Sequence, residues 1–284
     1  MAKSQTPELS PIKAIPGLFI SDRFAAAAPS NIREHNIVRV LSIVRPNEIP
    51  QSHAERFTDS SSQDNQPEVE IRSIPIDDDP TEDILQHLRP ACDWIEQGLE
   101  RRLESNSDVQ AGVLVHCRLG ISRSGAFVVA YLMHKLQLSF SAALALARDS
   151  RSMICPNDGF ERQLRIWEIC EYDIYTDEPS AEAAERKEKR AYTVWKAERD
   201  NLLKRGEEDV NRARFSSMAS MAAHFGKRRQ EASRDAEIKR EKGEEESADE
   251  SERKEGWDKV KKMEEEWNDR LKRGITAGEN DGNS

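Results

Sequence analysis

Hydrophobic positions in the first part of the chain form short runs and periodic stretches separated by turn residues. Short apolar or alternating runs predict buried strands at 18–20, 38–43, 69–74 and 113–115. Helical spacing of apolar residues predicts helices at 23–35, 84–103, 123–135, 140–149 and 159–172. Because strands alternate with helices, the pattern predicts an α/β fold with a central, mainly parallel, twisted sheet flanked by helices.

Two stretches depart from this alternation. Residues 45–67 are polar, contain three prolines and a run of three serines, and are predicted to form a long surface loop. After Asp177 charged residues of both signs dominate, with good helix formers over 182–204 and 207–242. We therefore predict a folded domain at 12–176 and a separate charged tail at 177–284, either helical or disordered.

One narrow apolar stripe interrupts the charge of the tail. It is compatible with a solvated helix, with a helix that binds a protein partner, or with a disordered segment. The sequence does not choose among these, so a protein partner of the tail stays one expectation. The stripe consists of Phe215, Met218, Met221, Ala222 and Phe225.

Charge and cysteine content exclude several classes of function. The formal net charge is −10, which gives no reason to expect nucleic-acid binding. The four cysteines lack paired CxxC spacing, so neither a zinc site nor any other metal or cofactor is predicted. The N-terminus has no apolar signal core and the longest apolar run, near Ala126–Met133, is too short for a membrane span. We expect a cytoplasmic or nuclear protein, where thiols stay reduced.

The segment Val113–Gly125, with the sequence VLVHCRLGISRSG, carries the strongest chemical signal. A buried strand ends at His116, a short loop follows, and a helix is predicted to begin near Arg123. Loop amides and the positive end of the helix then point to one spot, where a phosphate dianion fits.

Two side chains frame this loop. Cys117 opens it and Arg123 closes it, with five residues between them, which is enough for one turn around a tetrahedral oxyanion. Arg123 can hold two phosphate oxygens with its planar fork, and the positive surroundings favour the thiolate of Cys117 as a nucleophile. Gly120 lets the backbone approach the ligand, and Ser122 and Ser124 supply hydroxyl donors. The alternative, a core cysteine with a helix-capping arginine, does not explain why these residues occur together.

The segment His116–Ser124 resembles the signature loop of the dual-specificity protein phosphatases, within the protein tyrosine phosphatase superfamily. Ile37–Ile43 is similar to the early buried strand of that family, and Pro156–Phe160 with Gln163 and Leu164 is similar to its final-helix motif. The resemblance covers about 12–172. One departure is Leu119, where family members often carry alanine.

The resemblance implies roles for the remaining loop residues. The peptide groups of Arg118, Leu119, Gly120, Ile121 and Ser122 would bind substrate phosphate, and His116 would order the loop. Ser124 would assist departure of the thiolate in the second step of a phosphocysteine mechanism.

A general acid is also needed to protonate the leaving oxygen. Asp77, Asp78 and Asp79 follow the strand predicted at 69–74 and the segment Ile74-Pro75-Ile76. Spacing alone does not choose among them, and all three could instead be solvated charges before a helix. The resemblance aligns Asp78 with the acid of the family.

The sequence thus favours a protein phosphatase that acts on phosphotyrosine and on phosphoserine or phosphothreonine in protein substrates. Two alternatives remain open. One is a phosphatase of a phosphoinositide, a glucan or an RNA end, and the other is a scaffold that binds phosphoproteins without hydrolysing them.

Overall fold

The computed structural model describes residues 8–45, 48, 69–101, 110–179 and 186–241. In chain order, its strands are β1 (Ser10–Pro11), β2 (Leu18–Ser21), β3 (Ile37–Ser42), β4 (Glu70–Ser73), β5 (Gly112–His116), β6 (Tyr175–Pro179) and β7 (Arg186–Glu188). Its helices are α1 (Arg23–Ala27), α2 (Pro29–Glu34), α3 (Leu85–Leu99), α4 (Arg123–Leu136), α5 (Phe140–Ser150), α6 (Asp158–Ile169), α7 (Arg190–Lys204) and α8 (Glu207–Glu241).

The main sheet has five strands in the order β1-β2-β5-β3-β4. Only β1 runs antiparallel to its neighbour, and β2, β5, β3 and β4 are parallel. The predicted α/β fold with a mainly parallel sheet is confirmed. Its central strand, β5, is buried along all five residues, so the loop that follows it begins from the most rigid part of the sheet.

Alternate residues of the strands pack on two faces of the sheet. Val113 and Val115 join the larger core cluster, which includes residues of α3 to α7. Leu114, between them, joins a smaller cluster with Ala25 and Ala26 of α1. This alternation is the two-residue period expected for a strand covered on both sides.

Several predicted elements need correction. The helix predicted at 23–35 is two helices, because Ala28 is extended where it precedes Pro29, and proline disfavours helical geometry in the residue before it. The hairpin of β6 and β7 was missed, and β7 lies within a stretch predicted to be helical. Of the loop predicted at 45–67, only Arg45 and Glu48 belong to the described residues.

The residues directly after the predicted domain boundary at 176 belong to the same compact unit as the residues before it. One compact unit extends through Met218, and the second consists of residues 219–284. Tyr192 and Trp195 of α7 are buried and belong to the larger core cluster. The domain limits 12–176 stay a prediction for the catalytic part of the chain, but the first helices beyond them are packed.

No single helix among the described residues is long and apolar enough to cross a bilayer. Among the described helices, α4 and α5 together have the length and apolar composition of a membrane span, but the pair is bent by 118°.

Candidate active site

The site lies where β5 ends and α4 begins, and we call residues 116–124 the phosphate loop. Gly120 has a φ of +69°, and a Cβ at this position would lie 2.6 Å from the carbonyl carbon and oxygen of Ser21. Both facts require glycine, because other residues rarely adopt this conformation and would collide with β2. Ser122 is the N-cap residue of α4, but its side chain does not cap the helix. The first amides of α4 therefore remain without a side-chain partner from the N-cap residue, as an anion site requires.

The Cys117 sulfur lies at the base of this loop and is buried. The Gly120 amide donates a hydrogen bond to Sγ at 3.2 Å, and the Ser124 hydroxyl donates a second at 3.2 Å. These two donors hold the sulfur at the base of the loop, in position for nucleophilic attack on a bound phosphorus atom. The structure therefore brings together three of the predicted site residues.

Arg123 is buried and its guanidinium is only partly satisfied. Nη1 donates to Glu48 Oε2 at 2.6 Å and to the Ile76 carbonyl at 3.2 Å, while Nη2 donates to Glu48 Oε1 at 3.1 Å. Nε is buried and has no hydrogen-bond partner among the described residues. The edge formed by Nε and the remaining Nη2 hydrogen is therefore open, and it has the two-donor geometry that binds two phosphate oxygens.

The buried charges of Arg123 and Glu48 stabilise each other. Burial alone would lower the pKa of Arg123, but the hydrogen bond to Glu48 and the charges of Cys117, Asp78 and Glu48 leave the pKa raised. Burial alone would raise the pKa of Glu48, but hydrogen bonds from Arg123 and from the Arg45 amide, with the charge of Arg118, leave it lowered. Glu48 thus holds the far end of Arg123 as a carboxylate.

Three carboxylates follow β4 in a segment that we call the acid loop, residues 76–84, and the structure separates them. Asp77 pairs with Arg45. Asp79 accepts hydrogen bonds from the Thr81 amide at 2.8 Å and hydroxyl at 2.7 Å, and it pairs with Arg214. Asp78 contacts the phosphate loop, because its Oδ1 accepts from the Ser122 hydroxyl at 2.6 Å.

A second donor fixes Asp78 from the start of α6. Asn157 Oδ1 accepts the Phe160 amide at 2.9 Å, so its Nδ2 faces Asp78 Oδ1 and donates to it at 2.8 Å. The Asn157 amide also donates to the Ser122 hydroxyl at 3.1 Å. Oδ1 of Asp78 therefore accepts two hydrogen bonds. This leaves Oδ2 as the oxygen that can carry a proton to a substrate.

Residues 24–170, just over half of the chain, match the family described as the dual specificity phosphatase catalytic domain. The chain belongs to this family. Human dual specificity phosphatase 28 is 30% identical over 159 residues, which cover 55% of this chain and 77% of that protein. The Drosophila melanogaster dual specificity protein phosphatase MPK-4 is 33% identical over 151 residues, which cover 53% of this chain and 34% of that protein.

Solved structures of dual specificity phosphatases are also similar to this chain. The crystal structure of human DUSP28 is 28% identical, covers 60% of this chain and 98% of that chain, and has a TM-score of 0.46. The chain spans about a third of the MPK-4 protein, so the matched part is a segment of that relative.

The remaining predicted site residues of this dual specificity phosphatase domain support the loop. His116 Nε2 lies 2.7 Å from the Ser42 hydroxyl, which ties the start of the loop to β3. Ile121 is buried, and its carbonyl accepts the Cys155 amide at 3.1 Å. The Arg118 carbonyl accepts the Arg23 amide at 3.5 Å. The Ser122 hydroxyl, expected to face phosphate, is used by Asp78, so only its amide is left for substrate.

Sequence reasoning missed three side chains at this site. Glu48 lies in the stretch predicted to be a surface loop, and Asn157 lies in the segment similar to the final-helix motif; neither position carries a local signal for its contact at the site. Arg151 donates from Nε to the Gly120 carbonyl at 3.0 Å and from Nη2 to the Leu119 carbonyl at 3.4 Å. These two contacts turn the loop carbonyls outward, so that the loop amides face the pocket. No local motif marks Arg151, because its partners are backbone atoms distant in sequence.

Proposed function

We propose that this chain is a protein phosphatase that hydrolyses phosphotyrosine, and also phosphoserine or phosphothreonine, through a phosphocysteine intermediate. The observation that carries the proposal is the buried Arg123, whose Nε has no partner among the described residues and whose charge interacts with Cys117, at the start of α4, where the N-cap side chain does not cap the helix. Together these groups supply a nucleophile and a binding site for a tetrahedral dianion.

In the first step, the Cys117 thiolate attacks phosphorus opposite the leaving oxygen. The sulfur–phosphorus bond forms, the phosphorus–oxygen bond to the substrate breaks, and Asp78 gives its proton to the leaving oxygen. Arg123 and the loop amides bind the non-bridging oxygens as charge shifts onto them. Asp78 Oδ2 would carry this proton, because Oδ1 accepts hydrogen bonds from Ser122 and Asn157.

In the second step, water attacks the phosphocysteine. Asp78, now a carboxylate, takes a proton from the water, and the sulfur–phosphorus bond breaks to release inorganic phosphate. The Ser124 hydroxyl, 3.2 Å from Sγ, donates a hydrogen bond to the departing thiolate. The cycle then returns to its starting protonation state.

The substrate class follows from the loop sequence and from family membership. Lipid-phosphatase loops of the superfamily carry a pair of lysines at the positions that Arg118 and Ile121 occupy here. A phosphoprotein is therefore the favoured substrate over an inositol lipid. A protein partner for the tail and a cytoplasmic or nuclear location remain predictions from the sequence.

A substrate panel tests this proposal. The full chain is assayed with phosphotyrosine, phosphoserine and phosphothreonine peptides and with a phosphoinositide in mixed micelles, and Cys117→Ser serves as the inactive control. We expect kcat/KM to be highest for a phosphopeptide. A preference for the inositol lipid of more than about tenfold, or 1.4 kcal/mol in transition-state binding, would contradict the protein-substrate proposal.

The scaffold alternative has its own test. If the wild-type chain binds phosphopeptides but does not release phosphate from any aryl phosphate, the domain is a binding module. The paired donors on Cys117 argue against this outcome, because a binding module has no use for a positioned nucleophile.

A further inference from the structure

The acid loop is contacted by the segment that follows the predicted catalytic domain. We call residues 190–218, which comprise α7 and the first part of α8, the C-terminal brace. They belong to the same compact unit as the acid loop. Three side chains of the brace bond to three successive sites on that loop, and a fourth bonds to the start of α6.

The first contact is next to the proposed acid itself. Arg214 Nε donates to Asp79 Oδ2 at 2.6 Å. The other oxygen of Asp79 already accepts from the amide and hydroxyl of Thr81. Asp79 therefore links α8 to the turn that follows Asp78. Because Asp78 and Asp79 are adjacent, the conformation of this turn affects the orientation of the Asp78 carboxyl group.

The next two contacts hold the remainder of the loop. Arg199 Nε donates to the Thr81 carbonyl at 2.6 Å. Tyr192 Oη donates to Asp83 Oδ2 at 2.8 Å, and these two residues are only 3% and 6% exposed. Burial and the charge of Asp83 raise the pKa of Tyr192, so this hydroxyl remains a donor throughout the physiological pH range.

The fourth contact is at the start of α6, next to Asn157. The Asp158 amide donates to the Ser217 hydroxyl at 3.2 Å. Asp158 directly follows Asn157, whose side chain holds Asp78 Oδ1. Gly159 comes next, and a Cβ there would collide with the backbone of Pro80, so α6 and the acid loop are in close contact. The brace thus contacts both segments that fix Asp78.

The brace is itself anchored. Tyr192 and Trp195 stack with ring centroids 6.1 Å apart and belong to the main core. These two rings anchor α7 and give Arg199 a fixed base. Arg214 is on α8, where Val210 is buried and Ser217 bonds to the Asp158 amide. The charge pattern alone left a solvated, a partner-binding and a disordered tail open, and none of these predicts the contacts.

We propose that the C-terminal brace is a positioning element for the general acid, with Arg214 as its positioning residue acting through Asp79 on Asp78. The inference rests on the proposed phosphatase function. It means that proton delivery to the leaving group depends on residues beyond the family domain. The phosphate loop, in contrast, forms no hydrogen bond or ion pair with Arg214, whose partners among the described residues are Asp79 and Asn211.

Leaving-group dependence tests this proposal in the full-length chain. Turnover is compared for two aryl phosphates, one whose phenol has a low pKa and leaves without a proton, and one whose phenol has a high pKa and needs the acid. We expect Arg214→Gln to lower kcat/KM, which reports the first step, by about five- to tenfold for the high-pKa substrate and by less than about twofold for the low-pKa substrate. Arg214→Lys should restore part of the loss.

Arg212→Gln is the matched control, because Arg212 pairs only with Glu208 and Asp209 on its own helix among the described residues. It should alter neither substrate. Equal losses of Arg214→Gln on both substrates, with a lowered unfolding temperature, would show a general packing role and overturn the proposal. Unchanged kcat/KM on both would overturn it as well.

Asp78→Asn separates failure of this inference from failure of the proposed function. If Asp78→Asn itself causes no loss selective for the high-pKa substrate, the acid assignment is wrong and the brace has no acid to position. If Asp78→Asn is selective but Arg214→Gln is not, only the positioning role is wrong. Adding Arg214→Gln to Asp78→Asn should give no further loss, because both changes would remove the same step.

Discussion

The phosphate loop and the acid loop meet at one pocket but are held by different kinds of contact. The phosphate loop is a continuous link between β5 and α4, fixed by Gly120, by backbone bonds to the sheet and by Arg151. The acid loop is fixed by side chains from Arg45 to Arg214, spread over most of the described chain. The first is set mainly by the backbone geometry of its own motif, with Arg151 as a distant support, whereas the second depends on side chains from the whole fold. Changes to the two loops should have different signatures.

Arg123→Lys should have the largest effect among changes that leave the nucleophile in place. Lysine keeps the charge but lacks the two-donor edge, so we expect kcat/KM to fall by about 10²- to 10³-fold for every aryl phosphate, whatever its leaving group. Steady-state kinetics measure this loss. Arg162→Lys, at an exposed pair with Glu198 on α7, is the control and should be near wild type.

Asp78→Asn should have the next largest effect, and in kcat/KM, which reports the first step, only where the leaving oxygen needs a proton. We expect kcat/KM to fall by about 10²-fold for a phenol of high pKa and much less for one of low pKa. Asp79→Asn should cause a smaller loss with the same selectivity, because Asp79 acts through its neighbour, and Asp77→Asn should cause the least. A larger selective loss for Asp79→Asn than for Asp78→Asn would assign the acid to Asp79.

Ser124→Ala should slow the second step about tenfold, because it removes one hydrogen bond to the departing thiolate. The expected sign is a rapid burst of phenol followed by a slower steady state, measured by stopped-flow absorbance. Ser139→Ala, which caps α5 away from the pocket, should show no burst. Loss of burst and steady state together would place Ser124 in the first step instead.

Glu48→Gln should have the smallest kinetic effect, a rise in KM of a few-fold, because Arg123 loses a charged partner but keeps the Ile76 carbonyl. Its pH dependence follows from the lowered pKa of Glu48. A carboxyl whose folded pKa lies below its unfolded value stabilises the fold fully above the unfolded value, here 4.5, and this stabilisation is lost as pH falls through the lower folded pKa. The difference in unfolding temperature between wild type and Glu48→Gln should therefore shrink as the buffer is made more acidic than pH 4.5.

The difference between the loops also explains what the sequence could reveal. The phosphate loop follows from consecutive residues, because a buried strand, a glycine and a helix start are all local signals. The mainly parallel sheet follows from the same alternation of elements, whereas the order of its strands does not. The choice among Asp77, Asp78 and Asp79 was open from spacing, because their partners Arg45, Asn157 and Arg214 are distant in sequence.

The C-terminal region was the least predictable. Its charges are those of a solvated helix, and propensity alone does not reveal that Tyr192 has a buried partner in Asp83. The break of the first predicted helix had a visible cause in Pro29, whereas β7 lies where helix formers dominate and tertiary pairing overrides propensity.

Detection of the phosphocysteine is the most direct test of the central claim. Wild type and Asp78→Asn are mixed with an aryl phosphate of low leaving-group pKa, quenched in acid within the first turnover, digested and analysed by mass spectrometry. We predict a phosphoryl group on the peptide that contains Cys117, absent from Cys117→Ser and unchanged in Cys92→Ser. A phosphoryl group on any other residue, or full turnover by Cys117→Ser, would contradict the account.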